Sequence, residues 1–233
     1  MDQTQFETQE KYVEGKEQTF EVKGSAQVKP VATKKVNARY LTELAALTAI
    51  IILMAAVPAL GYIPIGPVQI TLLVIPVAVG SIVLGPKAGT FLGFVFGVTS
   101  LLKGSAMFML VPLQTIFVSI VPRMLIGVVC GWTFIGLMKL TKNRLASTAI
   151  ACVVATLTNT ILYLSSFILV LGSFMADYNE AVFGFIKNNN FFASFGIYLG
   201  MVGLNVVCEV AAALIIGVAI CNALWVSNKG RSK

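Results

Sequence analysis

Few residues in this 233-residue chain could do chemistry. Histidine is absent, which removes the commonest general base and metal ligand. Beyond the N-terminal tail the only acidic residues are Glu43, Asp177, Glu180 and Glu209, too scattered to gather metal ions for phosphoryl transfer. No GxxxxGK(S/T) loop is present, so ATP is not hydrolysed by that route. The sequence therefore predicts no catalytic residue, no metal site and no cofactor. What remains is a short set of polar side chains in apolar surroundings. Arg123 sits in "IVPRMLIG" and Glu209 in "NVVCEVAAAL". Asn205 and Glu209 share a helix face by their i, i+4 spacing, as do Asn159 and Tyr163 in "TLTNTILYL". Gln69 and Lys103 stand near the ends of apolar runs.

Two readings of these residues are open. Arg123 and Glu209 could neutralise each other as a buried pair that fixes helix register, and the two asparagines could be hydrogen-bond glue between helices. Alternatively, Arg123, Asn159, Tyr163, Asn205 and Glu209 converge from three helices on a polar pocket for a ligand. Gln69 and Lys103 would then be lid contacts, the alternative for the lysine being that it snorkels its ammonium to the membrane surface.

The elements that must position them are membrane helices. The chain is 57% hydrophobic and 12% charged, with a mean hydropathy of +0.87, well outside the range of water-soluble domains. A span needs about 20 apolar residues, and six candidates are found at 40–58, 68–84, 87–102, 112–140, 145–171 and 192–226. The fold class is thus all-α integral membrane, a six-helix bundle. A charge such as Arg123 or Glu209 alone at the bilayer centre costs about 3 kcal/mol or more.

Six spans place both ends on one side. That side holds Lys29, Lys34, Lys35, Arg39, Lys87, Lys139, Lys142, Arg144, Lys229, Arg231 and Lys233, and the other keeps Lys103 and Lys187. The positive-inside rule then puts both termini in the cytoplasm. The net charge of +7 is read as a topology signal, with no nucleic acid implied. Residues 1–38 form a cytoplasmic tail of mixed charge that cannot bury a core and is expected to be disordered. It has no apolar h-region of a signal peptide. Residues 39–228 are the transmembrane domain and 229–233 a short basic tail.

Gly85, Gly89, Gly93 and Gly97 recur at every fourth position in "GPKAGTFLGFVFG". Each interior glycine costs roughly 1 kcal/mol in a helix. In lipid, however, bare stripes let backbones approach, so these glycines predict a packing face. Cys130, Cys152, Cys208 and Cys221 all lie in predicted spans without CxxC spacing and are read as small packing residues.

From about residue 39 to 226 the sequence resembles the substrate-binding S components of energy-coupling factor (ECF) vitamin transporters. The resemblance is carried by Ala45 and Ala49 in an AxxxA motif of the first helix, by "IPIGPVQITL" and by "VLGPKAGTFLGFVFG". "VPRMLIG" is similar to the fourth helix of a branch that includes pantothenate and hydroxymethylpyrimidine transporters. The resemblance implies a vitamin held in the outward half, roofed by the loop between the first two helices and lined by the fourth, fifth and sixth. It also implies that Ala45 and Ala49 contact a T component coupled to two cytoplasmic ATPases, and that the chain works in the bacterial plasma membrane. Pantothenate is the favoured substrate because a buried arginine suits its carboxylate. Hydroxymethylpyrimidine or another vitamin precursor is the alternative, and a non-transporting membrane scaffold the rival of another class.

Overall fold

The computed structural model describes residues 38–65 and 68–230. The predicted disordered tail therefore lies, but for its last residue, outside the described residues. So does most of the basic C-terminal tail.

Among the described residues six principal helices follow one another. Helix α1 (Ala38–Ala56) leads through a short turn (Pro58–Gly61) into a hairpin. Its strands β1 (Tyr62–Ile65) and β2 (Val68–Thr71) are antiparallel, with Tyr62 opposite Thr71 and Ile65 opposite Val68. Helix α2 (Val74–Val83) is joined to α3 (Pro86–Lys103) by a turn at Gly85. The short helix Ser105–Leu110 precedes α4 (Pro112–Thr141). Helix α5 (Arg144–Tyr178) contains a π-helical turn at Phe167–Leu171. Two single turns, Glu180–Phe183 and Phe185–Asn188, lead to α6 (191–230), which has its own π-helical turn at Ala213–Gly217.

The six predicted segments each overlap one of these helices, but they are not equal. Helices α1, α4, α5 and α6 are long and apolar enough to cross a membrane. The segment predicted at 68–84 is not one helix: its first four residues are strand β2, and α2 has only ten residues. At 1.5 Å per residue that is about 15 Å, half the hydrocarbon thickness. A run as apolar as "VQITLLVIPVAVGSIVL" does not by itself distinguish a strand from a helix end, which is why the boundary was missed. Helix α2 is instead the buried axis of the bundle, with every residue from Val74 to Ile82 buried.

The glycine stripe is a packing face for three of its four members. Helices α3 and α4 run antiparallel, with Gly89 against Gly127, Gly93 against the Arg123 carbonyl and Gly97 against Ile120. A methyl group on Gly97 would come within 2.9 Å of the Ile120 Cα. Gly85 does something else. It has open space around it but a φ of 100°, a left-handed turn that only glycine adopts without strain, and Pro86 then starts α3.

The other helix ends are equally local. Lys142 ends α4 in a left-handed conformation, and Asn143 Oδ1 accepts from the Leu145 and Ala146 amides at 3.1 and 3.3 Å to start α5. At the opposite end of the bundle Asp177 pairs with Lys187, and its carboxylate holds the Lys187 ammonium above the ordinary lysine pKa. The main apolar core includes Ile51, Leu73, Val77, Leu92, Phe96 and Ile126. Cys130, Cys152 and Cys221 are buried in it as packing residues, whereas Cys208 is partly exposed. Among the described residues no group of His, Cys, Asp or Glu could hold a metal ion.

Candidate functional site

A cavity of about 460 Å³ opens in the bundle, a size within the usual range for small-molecule sites. Arg123 from α4, Asn159 and Tyr163 from α5, Asn205 and Glu209 from α6, and Lys103 from the end of α3 all line it. Six of the seven sequence-predicted residues are thus brought together. The seventh, Gln69, lies in strand β2 opposite Pro64, and its side chain is outside the described residues.

Arg123 is buried although its side chain is long and charged. Its guanidinium lies 4.3 Å from the centre of the Tyr163 ring and 5.6 Å from that of Phe96. Nη1 donates to the Val118 carbonyl at 2.7 Å. Nε has no hydrogen-bond partner among the described residues. Since Nε–H and one Nη2–H lie parallel on one edge of a guanidinium, that edge has the geometry to take a carboxylate bidentately.

Glu209 is held separately. Its Oε1 accepts from the Thr71 amide at 2.6 Å, tying the β2 foot of the hairpin to α6. The two ion pairs among the described residues are Arg39 with Glu43 and Lys187 with Asp177. Arg123 and Glu209 therefore make no direct ion pair among the described residues: each is hydrogen-bonded to a backbone group instead. The expectation of hydrogen-bond glue fails in part, because Asn159 Oδ1 and Asn205 Nδ2 are both buried without a partner among the described residues.

The β1 foot is fastened as well. The Tyr62 hydroxyl lies 3.1 Å from Ser100 Oγ, and the Lys103 ammonium sits 3.4 Å above the Tyr62 ring. Lys103 thus packs over an aromatic face at the cavity, which a purely snorkelling lysine would not do.

Several lining residues were missed. Tyr62, Thr71, Ser100, Thr115, Thr160, Phe167 and Tyr198 all contribute. Phe167 is central to an aromatic wall, with ring centroids 6.0 Å from Tyr163, 5.6 Å from Phe183 and 5.5 Å from Tyr198. The i, i+4 spacing of Tyr163 and Phe167 was an available signal for one face of α5. Tyr198, Ser100 and the threonines carry none, since such residues are common wherever helices pack in lipid.

Comparison with known proteins identifies the family. Residues 39–226 match the family described as "ECF transporter, substrate-specific component". The chain is 34% identical over 123 residues to the pantothenic acid transporter PanT of Lactococcus lactis, a match covering 46% of this chain and 60%, less than two thirds, of that protein. It is 31% identical over 201 residues to the pantothenate transporter PanT of Leuconostoc mesenteroides, covering 80% of this chain and 92% of that one. The chain belongs to the ECF transporter substrate-specific component family. It is an integral membrane transport subunit and not an enzyme.

Proposed function

We propose that this ECF substrate-specific component captures pantothenate in the cavity between the hairpin and helices α3 to α6. One observation carries the reading. Three buried polar atoms without partners among the described residues, Arg123 Nε, Asn159 Oδ1 and Asn205 Nδ2, belong to residues lining that cavity. An unmade hydrogen bond at a buried group costs about 1–3 kcal/mol, so three around one cavity favour a ligand that completes them. Pantothenate supplies a carboxylate for the Arg123 edge, and its amide and hydroxyls offer an acceptor to Asn205 and a donor to Asn159. Its geminal dimethyl group suits the aromatic wall at Phe167 and Tyr198. The names of the two relatives support the same substrate.

The cavity lies away from the basic turns that carry Lys87, Lys139, Lys142 and Arg144. Under the positive-inside rule it faces outward, with both termini in the cytoplasm of a bacterial cell. Ala45 and Ala49 are exposed on α1, a helix with little of its surface buried. They form the face through which a T component, coupled to two ATPases, docks to deliver the vitamin inside.

The test is direct titration of the purified chain with pantothenate, with pantothenol, in which an alcohol replaces the carboxylate, and with hydroxymethylpyrimidine. Pantothenate is expected to bind and pantothenol to bind at least tenfold more weakly, about 1.4 kcal/mol. Preferential binding of hydroxymethylpyrimidine, or of none of the three, overturns the proposal.

A further inference from the structure

Arg123 follows directly on Pro122, which lies inside α4 and is fully buried. Proline has no N–H, so the helical bond that residue 122 would donate to the carbonyl four positions earlier cannot form. That carbonyl belongs to Val118, and it is the group that accepts from Arg123 Nη1 at 2.7 Å. The helix defect and the arginine's anchor are therefore the same atom.

We infer that Pro122 is a positioning residue for Arg123: by leaving the Val118 carbonyl without its helical donor, it provides the acceptor that fixes the guanidinium. With Nη1 held on Val118 and the plane packed beside Tyr163 and Phe96, Nε, which has no hydrogen-bond partner among the described residues, is left to meet a ligand. An ordinary residue at 122 would donate its own N–H to Val118, and a buried carbonyl so satisfied competes poorly for the guanidinium. The arginine would then lose its anchor and sample other rotamers. Every residue named belongs to one helix or to its immediate neighbours, so the device is local and encoded by the dipeptide "PR".

The inference rests on the reading of Arg123 as the partner of the ligand carboxylate, and the experiment separates the two. Pantothenate affinity and melting temperature are measured for the full chain in detergent as the parent, Pro122→Ala, Arg123→Lys and the double variant. Pro122→Ala is expected to weaken binding at least about fivefold while the melting temperature holds or rises, because a helical hydrogen bond has been restored. In the Arg123→Lys background the same change should alter affinity by less than about twofold. A merely structural proline would instead lower the melting temperature, and its effect on binding would persist in both backgrounds. Parent-like affinity of Pro122→Ala alongside weakened Arg123→Lys overturns the positioning role alone. Parent-like affinity of Arg123→Lys overturns the carboxylate role and the positioning role with it. Should the alanine variant fold poorly, Pro122→Val supplies the same N–H at about the same volume and is read by the same criteria.

Discussion

Arg123→Lys keeps the positive charge and removes the fork, so it isolates what the guanidinium does. In the parent, Nη1 is engaged by the Val118 carbonyl while Nε has no hydrogen-bond partner among the described residues. One side chain can therefore hold the helix defect and still offer two parallel donors. A lysine ammonium is a single point. It can serve Val118 or a carboxylate, but it cannot make the two-point contact. Losing one charge-assisted hydrogen bond in the bound state is worth about 1.5–3 kcal/mol, which converts to roughly 10- to 150-fold in affinity. Packing on Tyr163 at 4.3 Å is made without a ligand, so its loss is expected to lower stability, by about 0.5–2 kcal/mol.

Isothermal titration with pantothenate, together with thermal melting of the same samples, reads both effects. The reasoning is refuted if Arg123→Lys binds pantothenate within about twofold of the parent. A control sharpens it. Arg123→Met with Glu209→Gln removes both charges, and would restore binding if the two were a structural ion pair. Because they are held by different backbone groups, the double variant is expected to stay defective.

Three further outcomes are expected. Ala49→Trp on the exposed face of α1 should abolish co-purification with a T component while leaving pantothenate binding by the isolated chain intact, and normal yield of the complex would remove the docking face. Single cysteines at Lys187 and Lys142, in a background lacking the native four, should react with an impermeant thiol reagent from outside and inside cells respectively, and labelling of both from the same side would overturn the six-span reading. Gly93→Leu places a side chain against the Arg123 carbonyl of α4 and should lower the melting temperature far more than Gly136→Leu, where the added Cβ meets open space; equal melting shifts would dismiss the α3–α4 packing face.

The bundle and the identity of the polar residues were legible because lipid makes them so. Hydrocarbon demands long apolar helices and makes buried polar atoms rare enough to stand out, so Arg123, Asn159, Asn205 and Glu209 could be picked from sequence and do meet at one cavity. Partners were not legible in the same way. The Val118 carbonyl and the Thr71 amide that hold the two charges are backbone groups, present at every position and so invisible as a pattern. The split of the segment 68–84 into strand and helix was hidden for a related reason: both elements are buried or apolar, and periodicity is informative only where one face differs from the other. Gly85 shows the converse, a fourth member of a spacing pattern whose role is set by its φ and not by the stripe.

The separation of Arg123 from Glu209 has an energetic consequence for capture. A buried ion pair would have to be broken for a ligand carboxylate to take the arginine, and removing one partner of such a pair costs about 3–5 kcal/mol. Here Glu209 is engaged with the hairpin through the Thr71 amide at 2.6 Å, so binding an anion at Arg123 leaves that contact intact. Glu209 then acts on the roof of the site. Glu209→Gln retains an oxygen that can accept from Thr71, whereas Glu209→Leu retains none. Stopped-flow release of pantothenate should therefore be close to the parent for the glutamine variant and faster for the leucine variant, since one backbone bond worth about 1.5–3 kcal/mol to a charged acceptor no longer pins the β2 foot. Equal acceleration in both variants would mean that the negative charge, and not the acceptor, is what the cavity requires of Glu209.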